Sequence, residues 1–273
     1  MSLSNVKFAR RLNRQSLRHK PLRNVSLDTG ERHVSVISQL CVSFLPTRPP
    51  PAMSSPARVS VLISGSGSNL QALINASTSN PPALPNVIFT RVISDRASAY
   101  GLQRASAAGI PTSTLGILSY KKRFPDPSGT PAFQSAREAY DADLAALVLQ
   151  DKPDLVVCAG FMRILTNAFL EPLEKAGVKI INLHPSLHGD LVGAGCIDRA
   201  WKEFEEGKRT KTGVMVHYVI AAVDEGEPIC QSEVDIAGCK SLAELEERIH
   251  NVEHGLIVQG AKKVAEDAAK NAN

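Results

Sequence analysis

The chain has 273 residues, 43% hydrophobic and 21% charged, the composition of an ordinary globular protein with apolar material for one full core or two small ones. No run approaches the roughly 18 consecutive apolar residues of a membrane-spanning helix, so no membrane partner is expected. The formal charge of +4 misrepresents the folded body: residues 1–52 carry nine basic residues against Asp28 and Glu31, a balance of +7, which leaves 22 basic and 25 acidic residues elsewhere, or −3, and no electrostatic case for nucleic acid.

Residues 1–56 form a basic leader, rich in Ser and Pro, poor in acid, with Pro46, Pro49, Pro50 and Pro51 near its end. Three readings of it stay open: a transit peptide, a disordered extension, or upstream sequence read through from a misassigned start, because Met53-Ser54-Ser55 directly precedes the first strand signal. A cytoplasmic location is expected, with organellar import through the leader as the alternative. One domain over residues 57–268 and a short tail over 269–273 complete the division. The five cysteines, Cys41, Cys158, Cys196, Cys230 and Cys239, are odd in number and irregularly spaced, with no Cys-x-x-Cys, so neither a disulfide framework nor a metal site is indicated. Cys158 lies in an apolar run and reads as a small buried hydrophobe.

From Arg58 onward strand and helix signals alternate. A strand over 59–63 precedes a helix from about 69 to 76; a strand over 87–93 precedes a helix from about 99 to 107. A long amphipathic helix over about 133–149 then leads into a strand over 154–158, and a further strand covers 179–182. This order implies right-handed crossovers and a mainly parallel, Rossmann-like α/β sheet, with ligands gathered beyond the carboxyl ends of the strands. Strands at 214–220 and 229–234, separated by Val223-Asp224-Glu225-Gly226-Glu227-Pro228, read as an antiparallel hairpin at the sheet edge. Ser241 followed by Glu244 is a capping-box start for a long last helix to about residue 265, with Leu242, Leu245, Ile249, Val252 and Leu256 as its apolar stripe.

The strand at 179–182 runs on through Leu183 to His184, and Pro185 ends it. Residues i and i+2 of a strand share a face, so the Asn182 amide and the His184 ring converge on one point. An amide donor beside a proton-transferring imidazole suits a tetrahedral oxyanion and therefore acyl-type chemistry. After the first strand, Ser64-Gly65-Ser66-Gly67-Ser68-Asn69 lets the backbone approach an anion at a helix N-terminus, with phosphate the natural guest. It is no dinucleotide fingerprint, since residue 70 is Leu where the third glycine belongs, and it lacks the lysine of a Walker loop.

The Gly-Ser-Gly-Ser-Asn loop, Asn182-Leu183-His184-Pro185-Ser186 and Val223-Asp224-Glu225-Gly226, in that order, closely resemble the phosphoribosylglycinamide formyltransferase family over roughly residues 57–265. Further matching runs are Ala159-Gly160-Phe161-Met162-Arg163-Ile164-Leu165, Arg137-Glu138-Ala139-Tyr140-Asp141 and Gly213-Val214-Met215-Val216-His217-Tyr218-Val219. The resemblance implies direct transfer of a formyl group from 10-formyltetrahydrofolate to the amine of glycinamide ribonucleotide, with no metal and no covalent enzyme intermediate. By the same resemblance Gly67, Ser68 and Asn69 hold the ribonucleotide phosphate, Glu253 receives its amino-bearing arm, and Arg137 with Met162, Arg163, Ile164 and Leu165 lines the folate site. Asn182 and protonated His184 would stabilise the oxyanion, and Asp224 would favour the imidazolium and assist proton relay.

Each residue alone has a plainer reading: His184 as a satisfied polar residue, Asp224 as a turn acid, Glu253 as a solvated helix position, Arg137 as an ion-pair partner of Glu138 or Asp141. The ordered set favours the site. His188, His217, His250 and His254 lack such support and read as structural. Two departures from the family stand out, the His188–Gly195 stretch that should border the folate and Ala221-Ala222 where many relatives carry acids. Competing functions are a formylfolate hydrolase, an aminoacyl-tRNA formylase, a nucleotide- or folate-binding module and a dinucleotide oxidoreductase. The oligomeric state is not readable from the sequence.

Overall fold

A seven-stranded sheet forms because its central segments are apolar on both faces. The computed structural model describes residues 55–124 and 131–271, so the leader through residue 54, the last two residues and 125–130 lie outside the described residues. β1 (Ala57–Ile63) is buried at six of its seven positions, which suits a strand covered on both sides. It pairs in parallel with β2 (Val87–Ser94) and with β4 (Leu155–Cys158). β3 (Thr112–Thr114) lies outside β2, and β5 (Lys179–His184) runs parallel to β4. β6 (Lys211–Tyr218) and β7 (Pro228–Asp235) are antiparallel, giving the order β3-β2-β1-β4-β5-β6-β7. The mainly parallel sheet with a C-terminal antiparallel hairpin is the architecture the alternating signals imply, with β6 inside the sheet and β7 at the edge.

Period-two alternation divides the core. Val59, Val61 and Ile63 of β1, Leu155 and Val157 of β4, and Ile181 and Leu183 of β5 face one apolar layer. That layer is closed by α1 (Ser68–Thr78), α2 (Tyr100–Ala107), α6 (Cys196–Glu205) and α7 (Leu242–Asn271). Leu62, Val156, Cys158 and Ile180 face the other layer, under α3 (Leu118–Arg123), α4 (Pro131–Gln150) and α5 (Asn167–Lys175). Cys158 is fully buried there, and desolvation pushes its thiol up to about 12, an inert group.

Sequence patterning passes over β3, α3, α5 and α6. β3 is three residues of Thr and Ser, and Pro172 sits inside α5. The start of α7 carries half of the expected box: the Glu244 N–H donates to Ser241 Oγ at 3.3 Å, whereas the Glu244 carboxylate accepts from Lys240 N–H at 2.8 Å instead of Ser241.

The strand order reverses direction at β1 and β4, and in open α/β sheets a crevice forms outside the carboxyl ends at such a point. Two loops leave side by side there. Ser64 N–H donates to Gly160 O at 3.0 Å, and Met162 N–H donates to Ser64 Oγ at 2.9 Å, so the glycine loop and the Gly160–Leu165 segment are tied together.

Candidate active site

β5 delivers Asn182 and His184 on the face shared with Ile180, two residues apart as the alternation requires. The connection between β6 and β7 brings Asp224 to them, with its backbone at φ +56°, a left-handed conformation that an Asp tolerates better than most residues. Gly226 makes that turn possible: a Cβ there would lie 1.7 Å from Tyr218 O. Asp224 Oδ2 stands 3.4 Å from His184 Nδ1 and accepts the Gly193 N–H at 2.9 Å. Asp224 Oδ1 accepts from Asn182 Nδ2 at 3.4 Å and lies 3.6 Å from His217 Nε2. Burial works to raise the Asp224 carboxyl. The His217 bond, the Gly193 N–H and the two imidazoles outweigh it, and the group sits below the ordinary carboxylate range.

His184 is 4% exposed and neither ring nitrogen is free. Nδ1 faces Asp224, and Nε2 is 2.7 Å from Leu191 O; a carbonyl can only accept, so Nε2 carries a proton in this arrangement. Cys196 Sγ lies 3.5 Å from the same nitrogen. The stretch after Leu187, expected to border the folate, therefore touches the central histidine through Leu191 and the central acid through Gly193.

His217, read from the sequence as structural, lies within this cluster. It is 2% exposed, directly across from Asn182 in the β5–β6 register, with Nδ1 2.9 Å from Tyr218 O and Nε2 3.3 Å from Asn182 Nδ2. The Tyr218 carbonyl can only accept, so Nδ1 carries a proton, and Nε2 faces both the Asn182 amide and the Asp224 carboxylate. The signal that could have found it is the cross-strand register, which no single strand pattern contains.

Along the same crevice a cavity of about 330 Å³ is lined by the Phe161–Leu165 segment, Asn182, His184, Asp224, Val219 and Ile220 among others. Met162, Arg163, Ile164 and Leu165 all line it. Met162 and Ile164 are 73% and 55% exposed, large apolar side chains held at a rim. The Arg163 guanidinium turns to Asp95, with Nε 2.9 Å from Oδ2, and lies 5.2 Å from the Tyr140 ring centroid. Arg137 is not part of the lining; it stands behind the rim and donates from Nη2 to Ile164 O at 2.9 Å, rather than pairing with Glu138, which accepts from Gln134. Asp141 accepts the Thr166 N–H at 2.7 Å, although burial raises its carboxyl.

The second half of the expected site lies at the N-terminus of α1. Gly67 caps the helix at φ +71°, with no side-chain cap, and a Cβ there would stand 2.5 Å from Gly101 Cα, so glycine is required both by the backbone and by the neighbouring helix. The first-turn N–H groups of Ser68 and Asn69 thus have no side-chain cap. The Asn69 side chain does not join them: it is buried, and its Nδ2 donates to Glu253 Oε2 at 3.2 Å, across 184 residues of sequence. Glu253 is 7% exposed, and burial raises its carboxyl despite the Asn69 bond. Among the described residues no group of three or more His, Cys, Asp or Glu is arranged to hold a metal ion, and no helix is long and apolar enough to cross a membrane.

Both fold and site define a class, and the family model described as formyl transferase matches residues 57–260: this chain belongs to that family. Its similarity is more specific than the class. The chain is 48% identical over 211 residues to phosphoribosylglycinamide formyltransferase of Schizosaccharomyces pombe, covering 77% of this chain and 98% of the relative. It is 42% identical over 217 residues to the protein of the same name in Saccharomyces cerevisiae, covering 78% and 100%. Among solved structures, glycinamide ribonucleotide transformylase 1 from Symbiobacterium toebii superposes with a TM-score of 0.63 at 32% identity, covering 78% of this chain and 89% of that one.

Proposed function

We propose that this chain transfers the formyl group of 10-formyltetrahydrofolate to the amino group of glycinamide ribonucleotide, a step of purine biosynthesis. The observation that carries the reading is the meeting of Asn182, His184 and Asp224 at one wall of a cavity whose opposite lip is apolar. The residues fit a formylfolate: an apolar rim for a flat ring system, and polar groups confined to the reacting end.

Asn182 Nδ2 has two hydrogens. One is directed at Asp224 Oδ1, with His217 Nε2 alongside at 3.3 Å, and the other is available to the formyl oxygen as negative charge develops there. A second donor at that oxygen is His184. Its ring becomes available when the Leu191 carbonyl releases Nε2, so the stretch from His188 to Gly195 shifts as substrates bind. Each such donor contributes on the order of 3 kcal/mol to the barrier. Asp224, anionic across the neutral range, balances the imidazolium charge and takes part, through the ring or a water, in moving the proton from the attacking amine to the departing folate nitrogen.

Gly67, Ser68 and Asn69 offer backbone N–H groups to the ribonucleotide phosphate, and Glu253, steadied by Asn69, receives the amine arm. No step in this scheme calls on a metal. The folded domain runs from β1 through α7, which continues to Asn271 rather than ending at 268, and the reaction is assigned to the cytoplasm. The test is a folate-absorbance assay on the full chain with and without glycinamide ribonucleotide. Product folate should form only when the ribonucleotide is present. Formate release at the same rate without it would replace the transferase with a hydrolase.

A further inference from the structure

We infer that Arg209 is a positioning residue for the reaction: through Asp190 it holds the His188–Gly195 stretch against His184 and so sets how often that histidine is free to meet substrate. The inference rests on the reading of His184 as an oxyanion donor, for which the Leu191 carbonyl must leave Nε2.

Nothing in the composition of the stretch fixes its path. Three of its eight residues, Gly189, Gly193 and Gly195, are glycine, no proline stiffens it, and Val192 is 41% exposed. Its order comes from polar anchors set one residue after another. Arg209, in the connection from α6 to β6, forks onto Asp190, with Nη1 2.9 Å from Oδ2 and Nη2 3.0 Å from Oδ1. The same guanidinium reaches back to α6, where Nε donates to Glu203 Oε2 at 2.7 Å. Leu191 N–H donates to the buried Ser186 Oγ at 3.0 Å, Val192 O accepts from Arg199 Nη2 at 2.6 Å, and Gly193 N–H donates to Asp224. Leu191 O, the group that occupies His184, therefore sits between a residue held by Arg209 and one held by Arg199.

Arg209 is the firmer of the two anchors. Its side chain is 15% exposed and its planar fork meets two carboxylates, whereas Arg199 is exposed and grips a carbonyl and the Cys196 thiol. The bond from Arg209 also holds the Asp190 carboxyl below the ordinary range, so the pair stays charged at neutral pH. Two arrangements follow. With the fork made, Leu191 O stays on Nε2; with it broken, the glycine-rich stretch can carry that carbonyl away and the ring can meet a formyl oxygen. A substrate that needs the second arrangement binds more weakly in proportion to the time the protein spends in the first.

The test combines amide hydrogen exchange with steady-state kinetics on the full chain. In Arg209→Gln the Leu191 and Gly193 amides should exchange about fivefold faster than in the wild type, with the melting temperature within a few degrees. The KM for 10-formyltetrahydrofolate should fall about fivefold while kcat stays within about twofold, the opposite of what a general loosening of the fold would do. Asp190→Asn removes the charge from the loop side and should reproduce both changes, and the double variant should add nothing further, because the two residues act as one unit. Arg209→Lys, a single point charge in place of the fork, should fall between wild type and Arg209→Gln. Unchanged exchange at the two amides, a KM equal to or above that of the wild type, or additive effects in the double variant overturn the inference and leave the formyltransferase reading intact. Absence of formyl transfer by the wild type overturns both.

Discussion

At Glu253 a carboxylate is kept where folding alone would not put it. Its burial raises the group above its ordinary value, so the charged form is disfavoured in the folded protein. A raised carboxyl is fully accommodated below its unfolded value, and its contribution turns into a cost as pH rises through the folded one. Glu253→Gln keeps an acceptor for Asn69 Nδ2 and removes the charge. The expected result is a gain of roughly 0.5–2 kcal/mol in unfolding free energy at pH 7–8, shrinking towards zero below about pH 4, with a ribonucleotide KM raised by an order of magnitude or more. Denaturant titrations at several pH values check the first part and steady-state kinetics the second. Asp224 has the opposite sign. Its carboxyl lies below the ordinary value, so the stability it contributes is complete above that ordinary value and is lost only as pH falls through the folded one.

Among the elements, the β6–β7 connection has the least freedom. Gly226 sits with a would-be Cβ 1.7 Å from Tyr218 O and 3.4 Å from His217 Nδ1, so any side chain forces the turn outward and carries Asp224 with it. Gly226→Ala should cost more than about 2 kcal/mol and lower kcat by an order of magnitude or more. Gly238→Ala is the control: its φ is +84° with open space around the Cβ, so only backbone strain of about 1–2 kcal/mol applies and kcat should be unchanged. Thermal melts beside kcat for the two variants separate displacement of the acid from simple loss of stability.

Legibility also divides by element. β1, β2, β4 and β5 announce themselves because each is apolar and bounded by turns, and Asn182 with His184 follow from the period of two. β3, α5 and α6 do not, because a three-residue strand, a helix with Pro172 inside it and a short helix after a glycine-rich stretch carry too little periodic signal. The place of His217 depends on antiparallel register, and the contact of Leu191 O with His184 depends on a loop path; neither is written in local pattern.

Over the whole molecule, three polar groups from two distant segments meet at the carboxyl end of β5, while the apolar layers on both faces hold the strand that carries two of them. Family membership says what class of chemistry the fold serves, and the side chains of Arg137 and Asn69 have protein partners of their own beside the expected site. Matched residues can serve the site from behind it, Arg137 by holding the rim carbonyl and Asn69 by holding Glu253. The measurement that bears most directly on the central claim is formyl transfer by His184→Ala and Asp224→Asn, read as kcat alongside the melting temperature. Both variants should retain a cooperative melt within a few degrees of the wild type and lose at least about a hundredfold in kcat. Folded variants that turn over at the wild-type rate would contradict it.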